Sequence, residues 1–226
     1  MEKLKLEVGS GGNPTEGYLH LDVDPEAPHV EFRGDILALV APHDYPPEEN
    51  EGVMKLRGMK FAEIRAVHFI EHIPWIWIDG LFKLFYDLLE PGGRLYIEVP
   101  DGLYVMATAL RSMAPNRLRW LWRLVTRRKK RFAFPVKEHP RLTRSGDPEQ
   151  FWEWVNFKLF SGCSKTRDGR GDYHHSVFCV DFLRRKLEKA GFSVDSIKSK
   201  GGIIYVWATR PYLAVAEEED PYYDGT

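Results

Sequence analysis

The chain has 226 residues, 43% of them hydrophobic and 29% charged, with 32 Lys/Arg against 33 Asp/Glu and a formal net charge of −1. That length fits one domain, residues 1–226, carrying a generous insertion. No apolar stretch reaches the ~20 residues that span a bilayer, two cysteines exclude a disulfide framework, and the alternating start MEKLKLEV is no signal peptide, so the reading is a reducing, cytoplasmic protein.

In chain order, LKLEV and YLHLDVD read as the first two strands and HVEF as a short third. APHDYPPEENEG is a Pro-rich acidic loop, and IRAVHFI is the fourth strand. WIWIDGLFKLFYDLL has apolar residues at helical spacing and is expected to stop at Pro91-Gly92-Gly93, after which RLYIEVP is the fifth strand. Regular alternation then lapses over 102–176. It returns with CVDFLRRKLEKAGF, a helix with Asp181 as its expected cap and Gly191 as its end. SVDSIKSK, a Gly201-Gly202 turn and IIYVWATR predict a closing hairpin. Residues 211–226 form an acidic tail. Strands separated by crossovers, with a final hairpin, predict an α/β domain whose mostly parallel sheet has one antiparallel strand. Ligands of such a sheet bind at the carboxyl ends of its strands.

The stretch LEVGSGGNPTEGYLHLDVDP therefore matters most. Gly9 and Gly11 form a bend in which the backbone can approach a ligand, and Asp22 ends the second strand, where an acid can accept ribose hydroxyls. A tight turn with no ligand would look the same in isolation. Gly9 and Asp22 are only thirteen positions apart, too few for an ordinary crossover helix of about ten or more residues, so the first crossover is expected to be a loop or single turn. No Lys or Arg and no Gly-Lys-Ser/Thr occurs in the bend, which argues against a nucleoside triphosphate. The short connection hardly supplies the helix N-terminus that a dinucleotide pyrophosphate wants, which ranks NAD lower.

Taken in order, LEVGSGGNP, LHLDVD, GDIL, VHFIEHI and LLEPGGRLYIEVPD resemble the class I S-adenosylmethionine-dependent methyltransferases, above all the small enzymes associated with sugar and cell-surface biosynthesis. The resemblance extends over roughly residues 4 to 101 and again, through YHHSVFCVDFLRRKLEKAGF, over 172 to 209. It implies a Rossmann-like seven-stranded sheet and S-adenosyl-L-methionine as cofactor. It also implies that Glu7, Gly9, Ser10, Gly11 and Asn13 form the bend against the amino-acid half of the cofactor. Asp22 would hold the ribose hydroxyls, Asp35 the adenine amine with Ile36 on the ring, and His68 and Phe69 would lie beside the methionine part. Asn13 stands where the family's third glycine is usual.

Methyl transfer needs a positioned acceptor and, for a hydroxyl, a proton acceptor. His68, Glu71 and His72 are the candidates in HFIEHIPW, His72 first, and His174 is the second choice, because they follow the fourth strand or precede the last helix and imidazole titrates near working pH. Each also has a plain structural reading, as a cap or a loop hydrogen bond, and His175 and His139 are weaker still. Two adjacent histidines with Cys163 and Cys179 raise zinc, but paired ligand spacing is lacking and no metal is expected.

From Arg111 to Arg144 there are twelve Lys/Arg against one acid, Glu138. The segment NRLRWLWRLVTRRKKRF, 116–132, reads first as a helical lid within an acceptor-binding insertion. Peripheral contact with an anionic membrane and contact with a nucleic acid are its other readings. The expectation is a methyltransferase acting on O or N of a small-molecule or sugar acceptor. The rivals are a non-catalytic cofactor-binding protein of the same fold and a nucleic-acid methyltransferase.

Overall fold

The computed structural model describes residues 3–113 and 174–212. Most of the expected insertion, including 116–132, His139 and Cys163, and the tail from 213 onward lie outside the described residues. Seven strands form among the described residues: β1 Lys5–Val8, β2 Leu19–Asp22, β3 Phe32–Arg33, β4 Phe61–Val67, β5 Leu89–Pro100, β6 Ser193–Lys200 and β7 Ile203–Thr209. They make a single sheet of order β3-β2-β1-β4-β5-β7-β6. Pairing is parallel from β3 through β5, and β7 runs antiparallel to both β5 and β6. The mostly parallel sheet with one reversed strand is thus observed. So is the short first crossover, because no helix interrupts 9–18.

The core follows the two periodicities. Leu6, Val8, Ile64, Ala66, Leu95, Ile97, Ile204 and Val206 are fully buried within the strands. Helix α2, Ile78–Leu88, buries Ile78, Leu81, Phe82, Phe85 and Leu88, a helical stripe that packs into the same cluster. Helix α4, Val180–Lys189, adds Leu183 and Leu187. Two further helices are α1, Glu51–Met54, and α3, Gly102–Met113. Asp79 at the start of α2 receives Lys186 Nζ at 2.5 Å and Lys189 Nζ at 2.7 Å from the end of α4, tying the two helices together. Both lysines favour the ionised form, and their hydrogen bonds hold the Asp79 carboxyl below its ordinary pKa.

Three local expectations are corrected. The third strand is only Phe32–Arg33. The fifth begins at Leu89, not Arg94, because Pro91-Gly92-Gly93 forms a bulge within the strand: Phe61 faces Leu89 and Glu63 faces Arg94. Gly92, at φ 78, supplies the left-handed residue there, and its N–H donates to the Arg210 carbonyl at 2.8 Å. The cap of α4 is Cys179, and Asp181 lies in the first turn instead, where a negative charge suits the helix dipole. Among the described residues no helix is long and apolar enough to cross a membrane.

Candidate functional site

The sheet places β1 between β2 and β4, so the chain winds outward in opposite directions on its two sides. This is the switch point of an open α/β sheet, where diverging crossovers leave a crevice at the carboxyl ends of the strands. Glu7, Gly9, Asp22, Asp35, His68, Phe69 and Glu71 lie on or just beyond such ends.

After β1, Gly9 donates its N–H to the Leu21 carbonyl at 2.9 Å and turns with φ +70. A Cβ there would lie 2.6 Å from Cδ2 of Phe69, so the bend and Phe69, two residues past β4, touch with no room between them. Gly11, at φ +54, donates its N–H to Asp22 Oδ2 at 2.7 Å, and Asp24 N–H reaches Asp22 Oδ1 at 2.9 Å. Asp22 is 8% exposed. The carboxylate at the end of β2 is therefore fixed against the bend, and each oxygen keeps lone pairs for further donors. Ser10 Oγ is buried in the same bend with no partner, and Asn13 is exposed.

Glu7 is buried and looks toward the start of β2. Its carboxylate accepts from the Thr15 N–H and the Thr15 hydroxyl, both at 2.7 Å, and pairs with Arg65 Nε at 3.2 Å. Glu7 thereby staples the bend to its own strand. Asp35 accepts from Leu37 N–H at 2.9 Å and caps the short 3-10 turn 36–39, while its own N–H donates to Asn50 Oδ1 at 2.7 Å. Ile36 is buried in the core.

After β4 the chain turns sharply. His68 has φ +49, a left-handed conformation uncommon outside glycine, and its N–H donates to Glu98 O at 2.9 Å. Its Nδ1 lies 3.2 Å from Glu71 Oε1. The Glu71 side chain is 2% exposed, and its Oε2 is buried with no hydrogen-bond partner. The Glu71 carbonyl accepts from the N–H groups of His175 and Ser176 at 2.7 and 3.0 Å, and Ser176 Oγ donates to Ile73 O at 2.7 Å. These bonds bring His174 against His72, ring centroids 4.9 Å apart and edge to face. Of the catalytic candidates, Glu71, His72 and His174 thus meet, whereas His175 is exposed.

The sequence reading passed over Thr15, Arg65 and Asp101. Asp101, buried beyond β5, accepts from the N–H groups of Leu103 and Tyr104 at 3.0 and 3.1 Å and starts α3. Pro-Asp-Gly at a strand end carried that signal. Thr15 and Arg65 carried none, because Thr15 reaches Glu7 only when the bend folds back and Arg65 only once β1 and β4 are paired. An apolar cleft of about 240 Å³ adjoins the turn, lined by Trp75, Ile78, Ser176, Val177, Phe178 and Phe182.

No family model and no curated protein matches the chain. Among solved structures it is similar to a DhpI–SAH complex, with 13% identity and a TM-score of 0.47 over 90% of this chain and 74% of that one. It is likewise similar to a SAM-dependent methyltransferase from Methanosarcina mazei, with 14% identity and a TM-score of 0.47 over 93% of each chain. A third is the CurJ carbon methyltransferase, with 13% identity and a TM-score of 0.48 over 92% of this chain, which spans about half, 48%, of that one. Among the described residues the sheet order β3-β2-β1-β4-β5-β7-β6, reversed only at β7, gives this chain a Rossmann-like α/β fold, the fold that the sequence resemblance implied.

Proposed function

We propose that this protein binds S-adenosyl-L-methionine at the β1–β2 bend and transfers its methyl group to an oxygen or nitrogen of a small-molecule or sugar-type acceptor. The observation that carries the reading is Asp22, a carboxylate held by the Gly11 N–H at 2.7 Å at the end of β2, the strand next to β1 at the switch point. Two vicinal hydroxyls are the natural donors for its remaining lone pairs. Asp35, one strand further out, is suited to an exocyclic amine, and the unpartnered Ser10 Oγ offers a third polar contact within the bend. A thioether or sulfonium tail needs no cationic cradle, consistent with a bend free of Lys and Arg.

The reaction breaks the sulfonium–methyl bond as the acceptor atom forms its bond to the same carbon, and the acceptor's proton leaves. The cofactor carries the activated methyl, so the chain's work is alignment and proton handling. The cluster of Glu71, His72 and His174, formed by the turn 70–72 after Phe69 and the 174–176 segment against it, is where we place the acceptor. The sugar preference rests on the sequence resemblance alone.

Titration calorimetry with S-adenosylhomocysteine tests the reading. Asp22→Ala removes a charged acceptor, at about 1.5–3 kcal/mol for each hydrogen bond lost, so binding should weaken roughly tenfold or more. Unchanged affinity in the variant, or tighter binding of NAD than of S-adenosylhomocysteine, would overturn it.

A further inference from the structure

We propose that Glu71, His72 and His174 form a site for one first-row divalent cation. Each contributes one ligand atom, a carboxylate oxygen or a ring nitrogen, and the three atoms lie within 4.8 Å of one another. Ligands around a common tetrahedral ion at about 2.0–2.2 Å sit roughly 3.3–3.6 Å apart, so an inward movement of up to about 1 Å by each atom closes the set.

Two independent features favour an ion over a simple polar cluster. Glu71 is 1% exposed, yet its Oε2 has no hydrogen-bond partner. A buried carboxylate oxygen without a donor costs free energy that a cation would recover. The geometry is also built before any ion arrives. The Glu71 carbonyl holds the backbone of His175 and Ser176, Ser176 is tied to Ile73, and the His72 and His174 rings are already in edge contact. His68 Nδ1, 3.2 Å from Glu71 Oε1, orients the carboxylate from outside, as carboxylate-bound partners do around metals.

Two imidazoles and one carboxylate suit zinc, manganese, cobalt or iron(II) and leave coordination positions open. Calcium and magnesium prefer oxygen-only shells. If the methyl-transfer reading holds, an acceptor hydroxyl occupies an open position. The cation lowers its pKa, the proton passes to water, and the oxygen takes the methyl group as the sulfur recovers its electron pair. His72 is then a ligand rather than a free base.

The test uses full-length, tag-free protein stripped with chelator and titrated with cobalt(II) without cofactor, so its outcome is separate from that of the methyl-transfer reading. One equivalent should produce visible d–d absorption. His72→Ala and His174→Ala should each weaken binding by more than about 100-fold, and His68→Ala, one shell out, by about 10–100-fold. His175→Ala, beside the site but exposed, should bind as wild type. Circular dichroism verifies that each variant folds. X-ray absorption at the cobalt edge decides on wild-type protein alone: a shell with two imidazoles supports the site. A sulfur-containing or purely aqueous shell, an absent d–d band, or binding as tight as wild type in His72→Ala and His174→Ala overturns it.

Discussion

Replacing Gly9 with alanine tests how the two halves of the crevice are joined. The backbone at Gly9 has φ +70, where an L-residue is strained by about 1–2 kcal/mol. The added Cβ would also meet Phe69 Cδ2 at 2.6 Å, Cγ at 3.2 Å and Cβ at 3.3 Å. Carbon atoms rest at about 3.5–4.0 Å, so the ring must retreat by on the order of 1 Å. Phe69 is partly buried against the core, and such overpacking typically costs about 1–3 kcal/mol. The two contributions together predict about 2–5 kcal/mol of destabilisation in urea unfolding. The double-mutant cycle separates them. In a Phe69→Ala background the ring clash disappears, leaving the 3.3 Å approach to Cβ and the backbone strain, so Gly9→Ala should cost about 1–2 kcal/mol, a coupling of about 1–3 kcal/mol. Coupling within about 0.3–0.5 kcal/mol of zero would refute the contact between the bend and the end of β4.

The staple beneath the bend gives a second expectation. Thr15→Val removes the hydroxyl that donates to the buried Glu7 carboxylate at 2.7 Å, and urea unfolding should report a loss of about 1.5–3 kcal/mol; a change under about 0.5 kcal/mol would mean that Arg65 and the Thr15 N–H suffice. The Asp79 bridge predicts a pH dependence. Its folded-state pKa is lowered by the hydrogen bonds from Lys186 and Lys189, so its contribution is complete above the unfolded carboxyl pKa of about 3.9 and is lost as pH falls through the folded value. Because these groups are substantially exposed, Asp79→Asn should cost no more than about 1 kcal/mol near neutrality, and the difference from wild type should vanish in acid. Thermal melts across pH measure this, and a difference that persists below the carboxylate range would contradict it.

Much of the frame was legible because it is written in local periodicity. The closing hairpin is found at 193–200 and 203–209 around Gly201-Gly202, as alternation and the glycine pair predict. The loop-like first crossover follows from arithmetic on Gly9 and Asp22, since thirteen positions cannot hold two strand ends and a helix. Other features belonged to the tertiary structure. Pro91-Gly92-Gly93 reads as a helix stop and a break, yet it lies inside β5, because Phe61 and Arg210 on either side hold the bulge in the sheet. Glu7 reads as part of the ligand bend, but a buried carboxylate takes whatever donors the fold brings, and pairing β1 with β4 brought Arg65 while the bend brought Thr15. His174 is 102 positions from His72, a separation at which sequence spacing says nothing about ligand geometry. The hydrogen bonds from His175 and Ser176 to the Glu71 carbonyl, with Ser176 Oγ on Ile73 O, help set those side chains within reach of one another. Periodicity is a property of neighbours along the chain, and it specifies which face of an element is apolar. The meeting of charged groups from distant strand ends is a property of packing, decided when burial of those faces leaves one register in which the polar atoms find partners.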